Sequence, residues 1–237
     1  MLLELKAIGF IESPFQEKMG VPRQPNLAPS IEQTVHFNPP YNRAECFVGL
    51  SEGQMIWVIF GFHLNDTDEK FRPMVRPPRL GGNKKLGVFA TRSPFRPNPI
   101  GLSAVRLNSI HIEEDKVALS ISGGDFVNGT PVYDIKPYLP YSDCFAEAPH
   151  SFEAPDKKIK VFFEQDLQKN LALTTKLRQE LEEILTLDVG PAYKAMSSAE
   201  VHYFRYGLHD VGYVRSTELD GNGNTIIIKS LTPLPKK

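Results

Sequence analysis

Two cysteines in 237 residues, Cys46 and Cys144, are too few and too far apart for a disulfide framework, and no Cys-x-x-Cys pair is present. A reducing, cytoplasmic setting is expected from that usage. The six histidines (His36, His63, His111, His150, His202, His209) are scattered, with none at His-Glu-x-x-His or another ligand spacing, so no metal is expected. No apolar run approaches the roughly 18 residues needed to cross a bilayer. The opening MLLELKAIGFIES alternates and carries Glu4 and Lys6, which reads as a first strand and not a signal peptide. Also missing are a P-loop, a Gly-x-Gly-x-x-Gly after a strand and a Gly-x-Ser-x-Gly elbow. Their absence removes the commonest nucleotide-binding and hydrolase readings.

The most telling absence is local. Between Lys70 and Ile112 there is no Asp or Glu, yet the segment holds nine Lys/Arg: Lys70, Arg72, Arg76, Arg79, Lys84, Lys85, Arg92, Arg96 and Arg106. The chain as a whole carries a net charge of −1, so this is a basic patch in an otherwise acidic protein. Such a patch suits a polyanion or an anionic ligand that meets one face only. Six prolines and four glycines in the same run rule out one long helix or an interior strand, so a shaped loop is expected. Loops of that kind on a rigid scaffold are where binding residues concentrate.

The remainder divides in two. Residues 1–163 read as β-rich, with strands at Leu3–Ile11, Gln54–His63, Gly87–Thr91, Ile100–Ile112, Lys116–Ser122 and Lys157–Phe163. The Ile100–Ser122 pair, joined through Glu113-Glu114-Asp115, reads as a hairpin, because that acidic trio cannot be buried cheaply. No amphipathic helices separate these strands, which argues against a parallel βαβ sheet and for an antiparallel barrel or sandwich. Glu164–Leu185 then has helical apolar spacing, ended by Gly190-Pro191. Strands at Val201–Tyr206, Val211–Thr217 and Thr225–Leu231 complete a small α+β C-terminal domain, 164–237. The expected fold class is therefore mainly β.

Four constellations can carry chemistry. Arg76-Pro-Pro-Arg-Leu-Gly-Gly82 with Arg92-Ser-Pro-Phe-Arg96 offers guanidinium groups for phosphate or carboxylate, on a loop that proline stiffens. Asp134 and Lys136, two apart on a short strand after Asn128-Gly129, must face one side together; a structural ion pair explains them equally well. Val21-Pro-Arg-Gln-Pro-Asn-Leu27 taken alone is a plain surface loop, and His63, closing an apolar strand, is more often a core histidine than a catalytic one. The C-terminal Tyr193, Tyr203, Phe204, Tyr206 and Tyr213 interleave with Arg205, but alternate aromatics in a small sheet are more often core than a stacking platform.

Long motifs carry a resemblance. PRQPN at 22–26, RPPRLGG at 76–82, GVFATRSPFRPNPIGLS at 87–103 and DFVNGTPVYDIKPYLPYSD at 125–143 together resemble the TsaA-like family, whose characterised members are the TrmO-type tRNA methyltransferases. The resemblance covers most of residues 3–145, and GPAY at 190–193 resembles the smaller C-terminal domain of bacterial members. It implies an N-terminal β-barrel, 1–163, that binds S-adenosyl-L-methionine. It also implies a homodimer that methylates N6 of N6-threonylcarbamoyladenosine at position 37, in the anticodon stem-loop of tRNA. The implied cofactor contacts are Pro25, Asn26, Leu27, His63, Leu64, Arg92, Leu102, Phe126, Val127, Asn128 and Gly129. Asp134 and Lys136 match the family motif without a transferable role; with His63 they are the candidate catalytic groups, His63 or Asp134 as a base for the poorly nucleophilic N6 and Lys136 among the cations available for the threonyl carboxylate. Arg76, Arg79, Lys84, Lys85 and Arg96 are the candidates for the substrate's carboxylate and phosphates. A same-fold methyltransferase with another acceptor and a non-enzymatic RNA-binding barrel are the rival readings.

Overall fold

Period-two burial builds the first half of the molecule. The computed structural model describes residues 4–65, 71–77, 84–114, 116–149, 159–167, 172–187, 200–216 and 225–235. Strands β1 (Gly9–Glu12), β2 (Glu32–Phe37), β3 (Met55–Gly61), β6 (Ile100–Glu113), β7 (Lys116–Ser122) and β8 (Thr130–Pro137) close a barrel in the order β1-β2-β7-β6-β3-β8. Every neighbouring pair is antiparallel, as the absence of crossover helices predicts. Inward positions supply the core: Ile11, Val35, Ile56, Val58, Phe60, Val105, Leu107, Leu119, Ile121 and Val132. Each such side chain contributes about 1.5–3 kcal/mol on leaving water.

The hairpin β6–β7 falls where the acidic trio places it, with Glu114 at φ +47° in the turn. β4 (Met74–Val75) and β5 (Leu86–Gly87) pair as a two-stranded ribbon at either end of residues 76–85 of the basic segment. The stretch Gly87–Thr91, expected as a strand, is instead mostly a 3-10 turn at Val88–Ala90. The reason is local: the Thr91 hydroxyl donates to the Val88 carbonyl at 2.9 Å, and the Val88 amide is taken by Pro73 O at 2.9 Å. β1 also starts later than expected, at Gly9. β2 was not anticipated.

A second sheet follows, ordered β10-β11-β12-β9, from β9 (Lys160–Phe163), β10 (His202–Tyr206), β11 (His209–Ser216) and β12 (Thr225–Pro233). β9 joins β12 in parallel, so the second sheet begins just before the boundary expected at 163/164. Helix α1 (Pro140–Asp143) is a single turn beyond β8, and α2 (Thr175–Thr186) packs on the second sheet through Leu181, Ile184 and Leu185. The helix expected from Glu164 is shorter because Thr174 caps it, its side chain accepting from the Leu177 amide at 3.1 Å. Upstream, the Glu164 amide still serves the sheet, donating to Ile228 O at 3.0 Å.

The two sheets share material. Phe15, Ala28 and Ile31, from the connection between β1 and β2, are buried in the core under the second sheet with Phe163, Phe204, Tyr206, Val211 and Tyr213. Phe15 bridges to Tyr206, with ring centroids 5.4 Å apart. Polar ties flank this contact: the Ser30 amide donates to Glu183 at 3.1 Å, the Arg205 amide to Glu17 at 3.0 Å, and Lys176 pairs with Glu32. Phe204, Tyr206 and Tyr213 are thus core residues, as the simpler reading of that aromatic run held; Tyr203 is exposed and Tyr193 lies outside the described residues.

Candidate active site at one end of the barrel

Antiparallel pairing forces three connections to one end of the barrel: 13–31 after β1, 62–99 after β3 and 123–129 after β7. The candidate cofactor residues sit on these three connections and on the adjoining strand ends. They are linked by long-range hydrogen bonds.

Asn26 adopts φ +62°, a conformation that Asn tolerates better than most residues. Its amide donates to Gly123 O at 2.7 Å and its side-chain amide to Ala104 O at 2.9 Å. Gly123 itself has φ +77°, and a Cβ there would stand 2.6 Å from the Asn26 side-chain oxygen. The two loops therefore close on each other through an Asn and a Gly that few residues can replace. Beside them the Arg92 guanidinium donates to the Gln24 side-chain oxygen at 2.5 Å.

Across this end Asp125 accepts from the Ser103 hydroxyl at 2.6 Å. Burial pushes its carboxyl up to about 6; the Ser103 bond, its own backbone amide and the charge of Arg92 offset only part of that. Next to it Gly124 passes under Gln33, where a Cβ would stand 2.0 Å from the Gln33 side-chain oxygen. Gln33 is 2% exposed and donates to Ser13 Oγ at 2.7 Å and Phe126 O at 3.0 Å, while its own oxygen has no hydrogen-bond partner among the described residues. The Asn128 side chain accepts from the Ser13 amide at 3.0 Å, and the Gly129 amide donates to Ile11 O at 2.8 Å. His63 lies against this turn, bonded to the Asn128 backbone. Partial burial, with Lys18 nearby, lowers its pKa, so the ring is neutral at pH 7 and able to accept a proton.

Most of the eleven implied cofactor residues therefore border one surface. Asn26, Arg92, Asn128, Gly129 and His63 are tied into it as described. Pro25, Leu27 and Val127 are half-buried beside them, and Leu64 and Leu102 stand exposed. Phe126 differs. Its ring is 1% exposed and packs on Phe60 inside the barrel at 4.8 Å, and its carbonyl already serves Ser13 and Gln33. It shapes the loop from beneath.

Asp134 and Lys136 face one side together, 2.7 Å apart, but on the outer wall and not buried. A bulge at Tyr133 causes this: Phe60 pairs with Val132 and Ile59 with Asp134, so the inward–outward alternation resets between them. Across the wall Asp134, Ile59 and Leu102 form one row on β8, β3 and β6. At about 4.8 Å per strand, the ion pair stands roughly 10 Å from Leu102.

Among the candidate substrate cations, Arg76, Lys84 and Lys85 are exposed on the ribbon, and Arg79 lies outside the described residues. Arg96 is turned to another use: it donates to Thr91 O at 2.9 Å and bends the arm. The arm also exposes Phe89 and Phe95, the latter under Lys18 at 6.0 Å. Ser103, Asp125, Gln24 and these two phenylalanines were not singled out in the sequence. Exposed aromatics among cations were the available signal for Phe89 and Phe95; a lone acid after two glycines gives almost none for Asp125.

A closed barrel with a tied, acceptor- and guanidinium-bearing rim, next to a basic aromatic arm, defines a small-ligand-binding barrel that also meets a polyanion. Residues 10–144 match the model of the tRNA-methyltransferase O N-terminal domain, and the chain belongs to that family. It is 43% identical over 197 residues to the tRNA (adenine(37)-N6)-methyltransferase of Escherichia coli K12, covering 81% of this chain and 83% of that one. It is 40% identical over 200 residues to a putative S-adenosylmethionine-dependent methyltransferase, RcsF, of Pseudomonas aeruginosa, covering 82% and 84%. The fold aligns with the crystal structure of TrmO from Pseudomonas aeruginosa at a TM-score of 0.76 and 30% identity, covering 98% of this chain and all of the other.

Proposed function

We propose that this protein methylates N6 of N6-threonylcarbamoyladenosine at position 37 of tRNA. In the coarser statement it is an S-adenosyl-L-methionine-dependent tRNA methyltransferase acting on N6 of adenine 37. The observation that supports an RNA acceptor is the placement of the basic arm: it leaves and re-enters the barrel at the end where Asn26, Arg92, His63 and the 123–129 turn meet.

The rim fits the cofactor in its chemistry. Arg92 supplies a cation for a carboxylate, the 123–129 turn supplies backbone groups, and Leu64 and Leu102 supply exposed apolar surface for an uncharged ring. When bound, the cofactor supplies an electrophilic methyl group on a sulfonium. The protein's task is then to align a nitrogen behind that methyl and to accept its proton. Neutral His63 is placed at the rim for that proton. Lys136, held by Asp134 on the outer wall, supplies a cation for the threonyl carboxylate of the substrate. Arg76, Lys84 and Lys85 face the anticodon-stem phosphates, and Phe89 and Phe95 provide faces for unpaired bases. The working form is read as a cytoplasmic homodimer.

The test is mass-spectrometric nucleoside analysis after incubating protein, S-adenosyl-L-methionine and tRNA with or without threonylcarbamoyladenosine. One added methyl on the modified nucleoside alone is the expected result. A methyl on unmodified adenosine 37 would overturn the choice of acceptor.

A further inference from the structure

A glycine inside a strand marks a place where something lies close on the backbone. In β11 that place is Gly212, where a Cβ would stand 2.8 Å from the Tyr203 ring and 2.3 Å from Ser230 Oγ. Gly212 pairs in register with Tyr203 of β10 on one side and Ser230 of β12 on the other. The Tyr203 ring therefore leans across the neighbouring strand, and it stays 54% exposed while Phe204 and Tyr206 are 1% exposed. Arg205, two residues on, points to the same outer side and is exposed as well. Asp210 is its register partner, yet no ion pair within 4.0 Å joins the two among the described residues. A ring and a guanidinium thus stand side by side in solvent on the face away from the core.

This face continues toward the arm. β10 is an edge strand, and the segment from Phe15 runs along its free edge: Phe15 bridges Tyr206, and the Arg205 amide donates to Glu17 at 3.0 Å. The next residue, Lys18, donates to Asn65 at 3.2 Å and lies over the Phe95 ring at 6.0 Å. Tyr203, Arg205, Lys18 and Phe95 form a series of rings and cations from the second sheet to the base of the arm. One ring among Ser230, Asp210 and Thr232 offers too little apolar area for a protein partner. It suits a base that stacks on the ring while its phosphate meets the cation.

We propose that Tyr203 and Arg205 form a second seat for the tRNA, Tyr203 stacking on an unpaired base and Arg205 holding a phosphate beside it. The seat rests on the RNA reading above and extends it from the arm to the second sheet. Two separated contacts fix the direction in which the tRNA lies, which charge on the arm alone does not. An aromatic ring over a strand glycine also shields bare backbone, and substitutions separate that role from stacking.

The experiment is filter binding of tRNA carrying threonylcarbamoyladenosine to the intact protein at several salt concentrations, with S-adenosyl-L-homocysteine titration as the control. Tyr203→Leu keeps an apolar cover over Gly212 but has no stacking face. Its Kd for tRNA rises on the order of 10- to 100-fold, Tyr203→Phe stays within about twofold of wild type, and both keep their affinity for the small ligand. Arg205→Gln lowers the slope of log K against log salt by about 0.7, and it carries the test if Tyr203→Leu does not fold. Wild-type affinity in Tyr203→Leu, a Tyr203→Phe variant as weak as the Leu one, or an unchanged slope in Arg205→Gln would overturn the seat and leave the RNA reading standing. A wild-type protein that binds no tRNA would overturn both.

Discussion

The barrel rim and the basic arm are neighbours built on opposite plans. The rim is cross-braced: Asn26 to Gly123 and Ala104, Ser103 to Asp125, Asn128 to Ser13, Gly129 to Ile11. These bonds join segments from about 20 to more than 100 residues apart. The arm is tied at its base by Arg92 to Gln24 and Asn65 to Pro94, and is otherwise held by a ribbon of two-residue strands and by short-range bonds such as Arg96 to Thr91, with its aromatics and the cations Arg76, Lys84 and Lys85 displayed to solvent. A small ligand recognised atom by atom needs its partners fixed beforehand, because ordering them on binding costs affinity. A polyanion recognised by charge needs only cations on the right side, and tolerates their motion. The difference predicts which substitutions act on fold and cofactor, and which on RNA alone.

The largest effect is expected at the rim. Gly124→Ala sets a methyl 2.0 Å from the Gln33 oxygen, in a loop that has no slack. A loss of roughly 3 kcal/mol in denaturant unfolding is expected, with cofactor binding lost by calorimetry. A normal variant would mean that the bracing is dispensable.

Asp125→Asn has the opposite sign for stability. The folded-state pKa of about 6 lies above the usual 3.8 for Asp, so the folded protein holds this proton more tightly than the unfolded chain. The group therefore costs nothing below about pH 4. Its cost grows as pH rises and is complete above about pH 6, reaching up to about 3 kcal/mol. The ligand-free Asn variant should be more stable than wild type at pH 7 by up to that amount, and their difference should vanish near pH 4. A difference that does not change with pH would show that the carboxyl is solvated.

For the arm, Arg76→Ala with Lys84→Ala and Lys85→Ala should leave cofactor affinity unchanged. The slope of log K for tRNA against log salt should fall by about 2, at about 0.7 per phosphate contact with single strands. An unchanged slope removes these residues from the RNA interface. The smallest effect is Phe95→Ala, at about 1–2 kcal/mol of tRNA binding if a base stacks on it. Filter binding at several salt concentrations measures both.

Sequence pattern narrowed the fold to an antiparallel barrel or sandwich because no amphipathic helix interrupts the strands; only the resemblance pointed to the barrel that the strand order shows. The pattern misplaced elements where short-range hydrogen bonds outweigh periodicity. Thr174 starts α2 ten residues after the first helical-looking residue, and Thr91 turns an apparent strand into a 3-10 turn. β9 looked like a barrel strand because its parallel partner, β12, lies more than 60 residues downstream. The rim residues were legible only through resemblance to known motifs, since no spacing rule joins Asn26, Arg92 and Asn128. Asp125 and Ser103 fell outside even those contacts, because their relation depends on a loop folding back over an inward strand position. The ion pair Asp134–Lys136 was placed on one face by periodicity, but which face depended on the bulge at Tyr133.

The burial of Phe15 under the second sheet bears on folding cooperativity. Phe15 belongs to the connection between β1 and β2, and its carbonyl accepts from the Asn128 amide at 2.8 Å. One residue thus stands in the apolar interior of one sheet while its backbone pins the rim loop of the other. Melting the second sheet would expose Phe15, Ala28 and Ile31 and slacken the 123–129 turn in the same event. The protein should therefore unfold in one transition, with amide exchange at Gly129 slowed as much as at Val211, so that the part farthest in sequence from the rim guards its geometry.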